Sequence, residues 1–331
     1  MNNKQVGILN NFNPSAQEAG LGSLINNLNT EKTRFFVDGT NGSDSNDGSS
    51  WDVAFATIQA AVTAASAGAT IYVAPKKMAA GAVDPVDYAE TIIIPATKPN
   101  LSIIGYVSNR TQGGLPQIKK GSGAVALLTV RAPGCLIANL GFNGGSATGG
   151  GILLDDDGST KSAFGTTIIG CHFKNCKGAT ATDARTGGAI QWAAAGNAWQ
   201  VRIVGNMFYK NVGDIVLLGT SGSVPQDVVI ENNIFSGPAA NVDCNLYLAG
   251  GSGMNGVYVI NNIFPALPAV GSGSVVRFID ATGCIGILAD NYFGDTTTAT
   301  GYGAAKTKAK IPTTVFLPRN YNESGLITRE A

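Results

Sequence analysis

The chain has 331 residues with 44 glycines, and its 22 Lys plus Arg balance its 22 Asp plus Glu. A net charge of zero sets up no overall field for nucleic acid or an anionic membrane, and no triplet period accompanies the glycine, which excludes a collagen-like chain. No run of 18 apolar residues is present, and the N-terminus lacks the charged and apolar blocks of a secretory signal, so neither membrane insertion nor export is expected.

Residues 1–33 are polar and carry eight asparagines, with short apolar patches at Val6–Leu9 and Leu21–Leu28. Such a stretch buries little by itself, and reads as a disordered leader or as an arm that orders on a partner. From Arg34 the character changes. A strand at Phe35–Asp38 leads into a loop to Ser50 that holds Asp38, Asn41, Asp44, Asn46 and Asp47. Asp38, Asp44 and Asp47 are candidate ligands for a structural calcium, but the closing bidentate glutamate of an EF-hand is missing and a solvated turn is the expected reading. Residues 54–67 follow as a helix, with Phe55, Ile58, Ala61, Val62 and Ala65 on one face and Gly68 as its stop. Strands are then expected at 70–73, 88–94 and 101–106.

Beyond these, one phrase recurs six times: LIANLGF (136–142), TIIGCHF (167–173), RIVGNMF (202–208), VIENNIF (229–235), YVINNIF (258–264) and ILADNYF (287–293). A period of this length marks stacked coils, each burying an apolar face against its neighbours. Five residues before each phenylalanine stand Ile137, Ile168, Ile203, Ile230, Val259 and Leu288, and two residues earlier Cys135, Thr166, Val201, Val228, Val257 and Gly286. This alternation is that of a strand with one face in a core. Three before the phenylalanine come Asn139, Gly170, Gly205, Asn232, Asn261 and Asp290, residues that tolerate a left-handed backbone and predict a sharp corner. Second strands are predicted at 150–156, 187–193, 213–219, 244–250 and 275–281. Residues 296–331 lose the repeat and read as an extended tail ending in the apolar strip 311–318.

Short strands joined by turns, with no helices between them, describe an all-β solenoid, a right-handed parallel β-helix over 34–295 with the helix near 54–67 as its N-terminal cap. At about 4.8 Å per rung, residues 35–293 make roughly nine rungs. Cys135, Cys171, Cys176, Cys244 and Cys284 are odd in number and embedded in repeats, so they read as apolar core fillers in a reducing compartment.

The stretch VDGTNGSDSNDGSSWDVAFATIQAAV (37–62), with ATIYVAP (69–75), YAETIII (88–94) and LSIIGY (101–106), resembles the N-terminal part of pectin-lyase-like β-helix proteins, most of all the phage tailspike and virion branch. That resemblance implies a homotrimer attached to a virion by its N-terminal segment. The polygalacturonase motifs of the superfamily are absent, since the one histidine, His172, stands between Cys171 and Phe173. If the chain were a glycan lyase or hydrolase, Asp155, Asp157 and Glu231 would be the candidate catalytic residues; Asp214, Asp243 and Asp280 share no phase in the repeat.

The expected function is therefore a phage virion protein without catalytic activity, a capsid decoration or cement protein or a short fibre. Its partners would be copies of itself and major capsid or tail proteins, possibly with a surface glycan, in a virion assembled in the host cytoplasm. No cofactor, nucleic acid or membrane is expected. A polysaccharide depolymerase is the alternative, and a noncatalytic carbohydrate-binding module using Trp192, Trp199 and Tyr209 is the third reading.

Overall fold

The structure, a computed structural model, describes residues 33–78, 86–106, 114–119, 123–145, 147–158, 162–180, 183–193, 198–219, 224–236, 244–265, 277–294, 311–322 and 325–327. The N-terminal arm expected over 1–33 thus lies outside the described residues, apart from Thr33. From Arg34 onward the chain is a right-handed parallel β-helix. Its first sheet has ten strands, from Arg34–Val37 to Val315–Phe316, and its second has ten, from Asp87–Tyr88 to Gly325–Ile327. The third has seven, from Ile92–Ile94 to Arg277–Asp280. Nine of the ten strands in the first sheet fall before residue 294, which matches the rung count expected from the period.

Each recurring phrase supplies two strands with a corner between them. In the third copy of the phrase, Arg202–Val204 belongs to the first sheet and Met207–Tyr209 to the second. The corner is made where the sequence predicts it. Asn139, Gly170, Gly205, Asn232, Asn261 and Asp290 all have φ between +54° and +64°, a region open to glycine and tolerated by Asn and Asp. After the corner the phenylalanines form one column. Rings of Phe142, Phe173, Phe208, Phe235, Phe264 and Phe293 follow one another at centroid spacings of 4.9, 5.1, 4.8, 4.6 and 4.9 Å, nearly parallel. The spacing equals that of the strands because parallel in-register pairing puts each Phe above the last. The aliphatic row Ile137, Ile168, Ile203, Ile230, Val259 and Leu288 is buried in the same core. All five cysteines are buried there or beside it, outside any disulfide.

The helix is shorter than its periodicity predicts, spanning Ile58–Ala64. Phe55 is buried with the predicted face, but its backbone bridges to Val37 instead of turning helically, and Ala65 is already extended. Its amide end is held by oxygens of three side chains, which accept from the backbone N–H groups. Thr57 Oγ1 accepts from Ala60 N, Asp44 Oδ1 from Ala56 N and Thr57 N at 2.9 Å, and the two oxygens of Glu90 from Ile58 N and Gln59 N at 2.9 and 2.8 Å. At the other end Lys98 Nζ donates to the carbonyls of Thr63 and Ala65. Opposite charges thus complement the two ends of the helix dipole. Ile58, Ala61 and Val62 are fully buried against the first strands of the first and third sheets, so the helix caps the core.

The tail departs from its expected description. Val315–Phe316 pairs in parallel with Ile285–Ala289, and Asn320–Asn322 with Tyr292–Phe293, so the coils continue past residue 296. Arg319, with φ +48°, takes the corner position of the earlier coils, and Asn320 stands one coil on from Asn291. The phrase is disguised because Asn322 stands where the earlier copies carry phenylalanine.

Candidate functional site

Three places on the solenoid gather side chains able to bind or react. The first is the corner between the first and second sheets, where Asn206, Asn233, Asn262, Asn291 and Asn320 are buried one above another. Each Oδ1 from Asn233 to Asn320 accepts both the backbone N–H and the Nδ2 of the asparagine before it, at 2.9 to 3.1 Å. Each Nδ2 also donates to a backbone carbonyl, as Asn262 does to Ile230 O. Cys171 N, in the coil before, donates to Asn206 Oδ1 and ends the row. This ladder was missed in the sequence, although an asparagine two residues before each of the last four phenylalanines was its signal.

The second place is the third sheet. Its core-facing residues, such as Ile152, Leu154, Ile190, Trp192, Ile215 and Leu217, alternate with Leu153, Gln191, Val216, Tyr247 and Asp280, which stand in register on successive strands. Val216 is nevertheless fully buried and Gln191 nearly so. Turns roof them: Gln191 Oε1 accepts from Gly188 N, its Nε2 donates to Gly149 O, and the turn Ala184–Thr186 packs against the strands of Val216 and Tyr247. A Cβ on Gly213 would meet both Val216 and Ala184, so glycine permits the close approach.

The acids near this sheet each have their own engagement. Asp155 Oδ2 accepts from Arg131 Nε at 2.9 Å, the arginine occupying the same slot one coil earlier. Asp156 Oδ1 closes a turn by accepting from Gly158 N, and Asp157 is exposed beside it. Asp183 accepts from Arg185 through both oxygens at 2.7 Å, and these bonds hold its carboxyl below the usual carboxylate range. Asp280 Oδ1 accepts from Thr282 N and Oγ1. Burial, then the Asp280 carboxylate on the adjoining strand, pushes the Tyr247 hydroxyl up.

Glu231 is not brought to this group. It lies at the end of a first-sheet strand between Val204 and Ile260, with Oε1 accepting from Asn232 Nδ2 at 3.4 Å. Asp155 and Glu231 sit on different sheets and more than two rungs apart, which separates them by about 10 Å along the axis alone, beyond the spacing of either glycosidase geometry. The acids of the 38–50 loop serve the fold. Asp38 accepts from Thr40 N, Asn41 N and Asn41 Nδ2, Asp44 staples the helix, and Asp47 accepts from Ser49 N. No group of three potential ligating acid, His or Cys side chains occurs among the described residues.

The third place is aromatic. Phe36, Trp51, Tyr72 and Tyr106 form a chain of ring contacts at 4.9 to 5.7 Å, with Trp51 39% and Tyr106 65% exposed. The expected binding aromatics fare differently. Trp192 is fully buried, its Nε1 donating to Ala198 O, so it is a core residue; Trp199 and Tyr209 are exposed on separate parts of the wall.

The architecture is a right-handed parallel β-helix, and comparison with solved structures finds others of that fold. The GH136 lacto-N-biosidase of Eubacterium ramulus superposes with a TM-score of 0.51 at 11% identity, over 87% of this chain. This chain spans 56% of that enzyme's length. Pectate lyase Pel9A aligns at 15% identity with a TM-score of 0.46, over 90% of this chain and 78% of its own. The pectin methylesterase of Aspergillus niger aligns at 13% identity with a TM-score of 0.40, over 90% and 88%. At such identities the likeness is one of fold. No family model and no curated protein matches the sequence.

Proposed function

We propose that this chain is a noncatalytic structural protein of a phage virion, a β-helix that decorates a capsid or forms a short fibre and associates with copies of itself and with other virion proteins. The observation that carries the noncatalytic part is the separate engagement of the wall acids: Asp155 with Arg131, Asp183 with Arg185, Asp280 with Thr282. The virion part rests on the resemblance of residues 37–106 to the phage branch of β-helix proteins. Incubating the purified protein with capsular and pectic polysaccharides should produce neither reducing ends nor unsaturated products, and electron microscopy of the particle that contains it should show a stubby rod on its surface. Sustained turnover that disappears in Asp155→Asn would replace this reading with a depolymerase.

A second reading is favoured by the exposed rings of Trp51 and Tyr106, held by Phe36 and Tyr72. Such a rigid aromatic surface suits stacking against a sugar face, and a noncatalytic carbohydrate-binding role would use it in place of Trp192. Calorimetric titration with oligosaccharides separates the two readings, because binding that is lost in Trp51→Ala supports the second.

A further inference from the structure

Asp214 is buried immediately before the third-sheet strand Ile215–Leu217, and each of its carboxyl oxygens accepts from the side-chain amide of an asparagine. Asn211 Nδ2, from the same coil, donates to Oδ1 at 2.9 Å; Asn245 Nδ2, from the next coil, donates to Oδ2 at 2.8 Å. The two amides tie outward to the rest of the core. Asn211 Oδ1 accepts from Cys176 N and its Nδ2 also reaches Phe173 O, while Asp214 and Asn245 are joined again through the backbone, Asp214 N donating to Asn245 O. Three successive coils are thereby linked at one carboxyl group.

The charge surroundings of that carboxyl are sparse. The coil before it presents the Cys176 thiol, which is itself pushed up to about 12 by burial and raised further by Asp214. The coil after it presents Asn245, with Cys244 and Tyr247 on the same strand and Asp280 on the next. Phe278 in register with Asn245 and Ala189 in register with Asp214 are apolar and buried. Among the described residues, burial and the amides of Asn245 and Asn211 set its titration. Asn245 Oδ1 is buried with no donor. An isolated carboxylate in such a place costs several times what two amide bonds return, whereas a neutral carboxylic acid does not.

We infer that the Asn211–Asp214–Asn245 cluster is a proton-operated latch between coils, closed when Asp214 carries its proton and loosened when the proton is lost. Burial is the dominant cause and places the titration at about pH 7, well above the ordinary carboxylate range of 3.8, with the two amide bonds opposing it. The coils are therefore held tightest where the opened carboxyl is protonated as well, below its ordinary value of 3.8. As pH rises from there to about 7, the coils meeting at residues 211–217 and 244–248 open more often, because the opened carboxyl ionises while the buried one does not; the asparagine ladder on the opposite corner, which has nothing to titrate, keeps its protection.

The test compares the wild type with Asp214→Asn by hydrogen exchange at matched pH values from about 3.5 to 8, so that the intrinsic pH dependence cancels. The expected result is equal exchange below about pH 4 and at least about tenfold faster exchange in the wild type at about pH 8, confined to peptides covering 211–217 and 244–248. Carbon-13 titration of the Asp214 carboxyl should show its midpoint near 7. Equal exchange at every pH, or a carboxyl midpoint near 4, would overturn the latch. So would suppression of the loosening at higher pH by millimolar calcium or potassium chloride, since the partner of the carboxylate would then be a cation. The carbon titration needs no variant, so it decides the matter even if Asp214→Asn fails to fold.

Discussion

Two corners of the same solenoid solve the problem of buried polar groups in different ways. At the corner between the first and second sheets, the ladder from Asn206 to Asn320 uses a side chain that donates and accepts at once, so each added coil satisfies the one before it. At the corner between the second and third sheets, the sequence places one acid between two amides, and the row stops there: Ala189 precedes Asp214 and Phe278 follows Asn245. The first arrangement is a neutral, repeatable unit. The second is ionisable and leaves an acceptor without a donor. What distinguishes them is a single atom, the amide nitrogen that Asp214 lacks, because a carboxylate can only accept.

Exchanging that atom between the corners is the sharpest way to break the comparison. In Asn262→Asp the new carboxylate still accepts from Asn233, but it faces the Ile230 carbonyl and Asn291 Oδ1 with no hydrogen to offer. Two lost donations to buried acceptors, plus a buried charge, predict a loss of about 5 kcal/mol in denaturant unfolding at pH 8, shrinking as pH falls. A loss below about 1 kcal/mol at pH 8 would mean that the ladder does not hold the corner.

The phenylalanine column serves as the reference that both corners share. Phe235 is buried between Phe208 and Phe264, and Phe235→Ala should cost about 3–5 kcal/mol at every pH, because it opens a cavity and titrates nothing. A pH-dependent loss there would show that the column and the Asp214 cluster are coupled.

Asp214→Asn should act in the opposite direction. The folded acid titrates at about 7 and the unfolded one near 3.8, so between these values the unfolded chain ionises while the folded chain keeps its proton. Stability from this group is complete below pH 4, falls with rising pH, and is level above 7. The interval corresponds to about 4 kcal/mol at most. The variant, with nothing to ionise, should match the wild type at pH 4 and exceed it by up to that amount at pH 8. A gap that is the same at both pH values would contradict the assignment.

How much of this could be read from the residues follows from the same physics. The period, the core rows and the left-handed corner at Asn139, Gly170, Gly205, Asn232, Asn261 and Asp290 were legible, because period-two alternation and positive φ restrict residue choice locally. The continuation through Val315 and Asn320 was hidden, because the aromatic that marks the phrase is replaced by Asn322. The helix was drawn too long because its buried face continues through Phe55 and Ala65 in extended backbone, which periodicity alone does not separate from helix. Trp192 read as a surface aromatic because strand parity was not fixed on the third sheet. The site was the least legible part. Unequal turns set which acid meets which base, and only the strand register puts Arg131 beside Asp155.

That pair gives the smallest effect and a control for charge as such. Arg131 and Asp155 occupy equivalent slots of adjacent coils, as Asp214 and Asn245 do, but their hydrogen bond is between full charges and lies at the surface. The Arg131 side chain is 41% exposed, so water and salt screen the interaction. Arg131→Ala should therefore cost under about 1 kcal/mol, and the cost should vanish in 1 M salt. If instead Arg131→Ala cost as much as Phe235→Ala, the wall acids would be structural anchors of the third sheet. The contrast between a screened charge outside and an unscreened one inside would then no longer explain the pH response assigned to Asp214.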